Sequence, residues 1–153
     1  MGILKPEEFL PKAFAAAKAA GHVWPEYASC EAALESGWGE SLLCKQANNL
    51  FGQKQGFSTE GLPTVEIMTH EYFKGRLVVV PAEWPSFPSW ESSFAARMEL
   101  LKRSSLYAYA LGAESGEDFI RRVSKVWSTD PDRGSKVLQI HDAHHDIFTD
   151  TSQ

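Results

Sequence analysis

Glu35 closes an alanine-rich run and stands directly before Ser36-Gly37-Trp38-Gly39, and two more acids, Glu66 and Glu71, sit within the stretch "TVEIMTHEYFKGRLVVV". A pair of carboxyl groups facing each other across a groove is what cleavage of a glycosidic bond requires. One protonated acid serves the leaving oxygen, and one carboxylate serves the water, the nucleophile or the developing cation. Trp38, Tyr72, Trp84, Phe87, Trp90 and Trp127 supply flat faces suited to sugar rings, although each ring taken singly serves a core or a hairpin anchor equally well. The chain carries 20 acids, most of which must be solvated surface groups, so spacing alone does not select the pair.

Other chemistries fit less well. His141, His144 and His145 in "HDAHHD" have helical spacing, with Asp142 and Asp146 beside them, but a short His tract near a chain end reads as solvated rather than as a zinc site. His70-Glu71 lacks the second His of a zinc-protease helix. Gly37-Trp38-Gly39-Glu40-Ser41 is not a nucleophile elbow. Cys30 and Cys44 lack metal-ligand spacing and read as buried, reduced thiols.

These candidates need elements to hold them. Pro6 to Ala20 repeats Phe9, Leu10, Phe14 and Ala17 at helical spacing, with Gly21 as a stop. Pro25 suits the first turn of a second helix that runs to Ser36 and ends at Gly37, which puts Glu35 on its last turn, where the helix dipole favours cations and disfavours a carboxylate. Ser41 to Gln46 reads as a short third helix. Thr64 to Val80 reads as a β-hairpin turning at Lys74-Gly75, and the proline-rich stretch Pro81 to Pro88 as loop or edge. Helical patterning resumes over Trp90 to Arg103, Glu117 to Val126, and Pro131 to about Phe148, with Thr129-Asp130-Pro131 as the cap of the last.

The bulk numbers agree with one folded unit. At 153 residues with 43% hydrophobic content and no internal repeat or linker, residues 1–153 are expected to form a single domain. A formal charge of -5 without a basic patch argues against a nucleic-acid partner. No apolar run approaches the roughly 18 residues of a membrane span, and the first residues lack the pattern of a signal peptide. The expectation is a protein made in the cytoplasm, with no integral membrane association.

"ALESGWGES" followed by "ANNLFGQK" resembles the signature of the bacterial glucosaminidase domains of glycoside hydrolase family 73. "VEIMTHEYFKG", "WPSFPSWESSF" and "WSTDP" resemble later segments of that family, in family order. The resemblance implies an α+β, mainly α fold: a lysozyme-like helical domain with a small β-hairpin lobe flanking the substrate cleft. It implies a monomeric endo-β-N-acetylglucosaminidase acting on peptidoglycan glycan strands without cofactor or metal; the alternatives are a muramidase or lytic transglycosylase, or a weakened wall-binding or phage module. Its general acid falls on Glu35, where the helix end and Trp38 would favour the protonated form. Its hairpin acid falls on Glu71, in Thr69-His70-Glu71-Tyr72, with Glu66 as the alternate. Trp38, Asn49, Phe51, Tyr72, Trp127 and Thr129 are the implied substrate-side residues, Asn49 and Phe51 either bracing the cleft floor or touching substrate. One departure stands out: family members carry Tyr-Ala-Thr-Asp-Pro where this chain has Trp127-Ser128-Thr129-Asp130-Pro131, so a flat ring is kept and a hydroxyl lost. The short form suits a phage or prophage lysin released through a pore, or a cell-wall lysin exported otherwise.

Overall fold

The computed structural model describes residues 4–149. Helix α1 (Pro6–Ala19) starts with Pro6 at its first position, and the Glu8 carboxylate accepts the Lys5 backbone N–H at 3.0 Å. It buries Phe9, Leu10, Ala13 and Ala17. Helix α2 (Pro25–Ser36) also opens on proline and stops at Gly37, whose φ of 58° is left-handed and costs least where there is no Cβ. Small residues on several sides, Ala28, Ser29, Cys30, Ala32 and Ala33, let α2 be buried among its neighbours. Helix α3 (Leu42–Ala47) follows, capped by Ser41, whose hydroxyl accepts the Cys44 N–H at 3.1 Å.

Strands β1 (Thr64–Phe73) and β2 (Arg76–Pro85) form one antiparallel hairpin. Its turn has positive φ at both Lys74 (52°) and Gly75 (78°), the two-residue geometry that matches strand twist. The second strand runs past Val80, through Pro81 to Pro85. Proline is tolerated there because a two-stranded sheet leaves each strand with an open edge. Register divides the hairpin into two faces. Val65, Ile67, Thr69 and Glu71 share one with Trp84, Ala82, Val80 and Val78; Glu66, Met68, His70 and Tyr72 share the other with Glu83, Pro81, Val79 and Leu77. The first face buries Ile67 and Trp84, whereas on the second only Pro85, at the strand's end, is buried, so the first is the inward one.

Helix α4 (Trp90–Arg103) is capped by Ser89 and buries Phe94, Met98 and Leu101. After a short 3₁₀ turn (Ser105–Tyr107) come α5 (Ala108–Leu111) and α6 (Gly116–Trp127), the latter capped by Ser115 and burying Phe119, Ile120 and Val123. The last predicted helix is two: α7 (Arg133–Ala143) and α8 (His145–Thr149). Its start lies later than Pro131 because the Asp130 carboxylate accepts the Asp132 N–H at 2.9 Å and forms a turn of its own. The break at His144 precedes Phe148, which packs edge-on to Phe14 at 5.1 Å. A shared apolar core joins α1, α2, α4, α6 and α7, and α2 lies against α1, α6 and α7. Phe9, Phe94 and Phe119 are fully buried, each worth about 1.5–3 kcal/mol of burial.

Candidate active site

Helix α2 presents Glu31 and Glu35 one turn apart on the same face. Glu31 is fully buried and held by a fork: Arg97 Nη1 donates to Oε1 at 2.7 Å and Nη2 to Oε2 at 2.9 Å. Arg133 Nη1 lies 2.9 Å from Glu31 Oε2 and also donates to Ser124 Oγ at 2.9 Å. The same guanidinium donates through Nε to Glu35 Oε2 at 2.7 Å. The result is an alternating chain, Arg97–Glu31–Arg133–Glu35, running from the core outward, with only its last member partly open, at 24% side-chain exposure. Burial alone would push the Glu31 carboxyl up, but Arg97 and Arg133 outweigh it and bring it down to about 2. Burial likewise opposes the charge on Arg133, and Glu31 and Glu35 overcome it.

Behind Arg97 sits His22, whose Nδ1 donates to the Val23 carbonyl at 2.8 Å, leaving Nε2 to accept from Arg97 Nη1 at 3.3 Å. Burial first, and then the Arg97 charge, lower His22 to about 4, so it is neutral near pH 7. Two mutually edge-on rings, Phe51 and Trp127, pack against the Arg97 guanidinium, each at 4.5 Å.

The turn after Glu35 is built by Ser36, whose hydroxyl donates to the Ala32 carbonyl at 2.7 Å and accepts the Gly39 N–H at 2.9 Å. Trp38 adopts a left-handed φ of 57° and turns its ring to Phe9 and His144, at 5.8 and 5.7 Å. The Glu35 carboxylate accepts from the Arg133 cation, a neighbour that the sequence did not suggest. Asn49 is buried and clasps its own turn, donating to the Gln53 carbonyl and accepting the Gln53 N–H, both at 3.0 Å. Phe51 is buried against Arg97, Phe94 and Trp127. Both side chains are thus held by contacts within the protein.

The hairpin brings Glu71 to its inward face, lining a cavity of about 300 Å³ with Lys54, Gln55, Ala82, Trp84 and, from the hairpin's other face, Glu83. Glu66 points the other way, opposite Glu83. Tyr72, 78% exposed, lies on that outer face as well, so alternation along the strand separates it from Glu71. Trp127 and Thr129 line a cavity of about 740 Å³ between α6 and the start of α7, and Trp127 also lines one of about 360 Å³ with Gln53, Phe57 and Tyr107. Glu35 lines neither; it connects to the larger through Arg133 and Ser124, a wall residue.

His141 pairs with Glu26 at 2.8 Å and stacks on Tyr27 at 4.0 Å, and His145 Nδ1 lies 3.2 Å from the Asp142 carbonyl. Among the described residues, no three His, Cys, Asp or Glu side chains gather to hold a metal ion, and no helix is long and apolar enough to cross a membrane. Cys30 and Cys44 are free and buried; burial pushes both thiols up, Cys44 to about 11.

Residues 11–146 match the family model for glucosaminidase, described as mannosyl-glycoprotein endo-beta-N-acetylglucosaminidase. The chain belongs to the glucosaminidase family. The peptidoglycan hydrolase FlgJ of Pseudomonas aeruginosa is 36% identical over 137 residues, covering 86% of this chain and 34% of FlgJ. The autolysin of Enterococcus faecalis is 30% identical over 158 residues, covering 95% of this chain and 21% of the autolysin. The chain thus spans about a third or less of these two relatives. Among solved structures, a peptidoglycan hydrolase mutant from Sphingomonas sp. A1 superposes with a TM-score of 0.76 at 27% identity, covering 94% of this chain and 98% of that one. The expected lysozyme-like helical domain with a hairpin lobe is the fold this chain adopts.

Sequence reasoning missed Glu31, Arg97 and Arg133. A signal existed for two of them. Arg97 falls on the apolar stripe of Phe94, Met98 and Leu101, and Glu31 lies one turn before Glu35; a charge on a buried stripe needs a buried partner.

Proposed function

We propose that this chain is an endo-β-N-acetylglucosaminidase that hydrolyses the β-1,4 bond between N-acetylglucosamine and N-acetylmuramic acid in peptidoglycan, with the cell wall as its place of action. Glu35 is the general acid: it gives its proton to the leaving glycosidic oxygen as the bond to the anomeric carbon breaks and water completes the hydrolysis. Glu71 is the second carboxylate, which steadies positive charge on the sugar or orients the water. The observation that carries this reading is the placing of Glu35: a partly exposed carboxyl on the last turn of α2, within the segment matched to the glucosaminidase family, at the outer end of a buried chain of charges. The inward face of the hairpin supports Glu71 over Glu66. Trp127 serves as a platform, since one face of its ring is taken by Arg97 while the residue borders two cavities. Thr129 offers a hydroxyl at the larger of them.

Digestion of purified peptidoglycan followed by mass spectrometry of the released fragments tests the bond. Fragments ending in reducing N-acetylglucosamine are expected. Reducing N-acetylmuramic acid would instead make the enzyme a muramidase, anhydro-N-acetylmuramic acid a lytic transglycosylase, and no release a wall-binding module.

A further inference from the structure

Arg133 is an unusual neighbour for a group that must donate a proton. Its Nε lies 2.7 Å from Glu35 Oε2, and the guanidinium is itself fixed, 1% exposed and tied through Nη1 to Glu31 and Ser124. A guanidinium Nε at that distance fixes the direction of the carboxyl by a charge-assisted hydrogen bond, while Glu31 and Ser124 on the same guanidinium hold the donor in place. Resting on Glu35 as the general acid, we propose that Arg133 is a positioning residue that aims the Glu35 carboxyl, with Glu31 and Ser124 fixing the guanidinium that does so. Arg133 touches Glu35 rather than the reacting bond, so it acts through the acid.

Groups from the surrounding elements complete the setting. Glu31 faces Arg133 from α2, and Arg97 lies beyond it on α4. Ser124 reaches in from α6. Tyr107, on the 3₁₀ turn, is raised by burial and pulled back by the Arg97 and Arg133 charges. His22, behind Arg97, is neutral at working pH. On α7 itself, Lys136 is occupied by Asp130 at 2.7 Å in an exposed pair. Arg133 is therefore the cation hydrogen-bonded to Glu35, and Glu31 the anion that shares it.

The test is the split between kcat and KM for turnover on solubilised glycan strands. Arg133→Gln is expected to lower kcat about 10–100-fold with KM nearly unchanged, because the carboxyl is no longer aimed. Arg133→Lys, which keeps the charge without the planar fork, should not restore kcat, since the Nε–H that aims the carboxyl is lost. Glu31 retains both bonds to Arg97 in these variants. Should Arg133→Gln not fold, Arg133→Met fills similar volume without an unpaired donor and must show the same loss of kcat. A folded Gln or Met variant with wild-type kcat, in an enzyme that Glu35→Gln inactivates, would overturn the role given to Arg133. If Glu35→Gln left turnover intact, it is the general-acid reading that would fall instead.

Discussion

Acid should weaken this fold well before its carboxylates titrate, and His22 is the reason. The ring is 4% exposed, donates from Nδ1 to the Val23 carbonyl, and accepts from Arg97 at Nε2. Protonation would place a second N–H against a guanidinium in a buried site, so the folded protein binds the proton only at about 4, against 6.5 for a free imidazole. The folded value is depressed, so this stabilisation is complete above pH 6.5 and is lost as pH falls towards 4. At about 1.4 kcal/mol per pH unit the gap amounts to about 3 kcal/mol. For a chain of this size that corresponds to a drop in Tm of about 6–12 °C. Calorimetric melting of the wild type and His22→Gln between pH 7.5 and 4 isolates the effect, since the amide can still accept from Arg97 but cannot take up a proton. The variant should be flatter than the wild type over this window. Equal slopes for the two proteins would refute the reasoning.

Three further outcomes are expected. Glu71→Gln should impair wall hydrolysis more than Glu66→Gln, because only Glu71 is on the inward face of the hairpin; the reverse order in a turnover assay would show that the hairpin acid is misassigned. Trp127→Ala should raise KM by the loss of an aromatic face, about 1–3 kcal/mol if sugar stacking resembles base stacking, whereas Trp127→Tyr should leave kcat nearly unchanged; a clear gain in kcat from Trp127→Tyr would mean that the missing hydroxyl matters. Gly116→Ala should destabilise by about 1–3 kcal/mol in denaturant titrations, since a Cβ there would overlap the Tyr27 ring, itself stacked at 4.0 Å on His141; an unchanged midpoint would count against that packing.

Elements with local punctuation were legible in the sequence. Pro25 and Gly37 bracket α2 because each acts within one turn, and Lys74-Gly75 marks the hairpin because only a two-residue turn with positive φ joins those strands. The division of the last helix at His144 was not legible, since the pattern from Val137 to Phe148 stays compatible with one helix and tertiary packing makes the choice. In the site, the placing of Glu35 followed from the length of its helix. Its electrostatic surroundings did not, because Arg133 lies 98 positions away and Arg97 lies 66 from Glu31, separations over which no periodic signal survives.

The central claim is that Glu35 donates the proton that releases the glycan. Reducing-end release from purified peptidoglycan by Glu35→Gln, alongside a melting curve of the same preparation, tests it most directly. Glutamine keeps the size and can still accept from Arg133 Nε, but has no acidic proton to give. Turnover should fall about 10²–10⁴-fold while the variant melts cooperatively. A folded Glu35→Gln protein that cuts glycan at the wild-type rate would contradict the account.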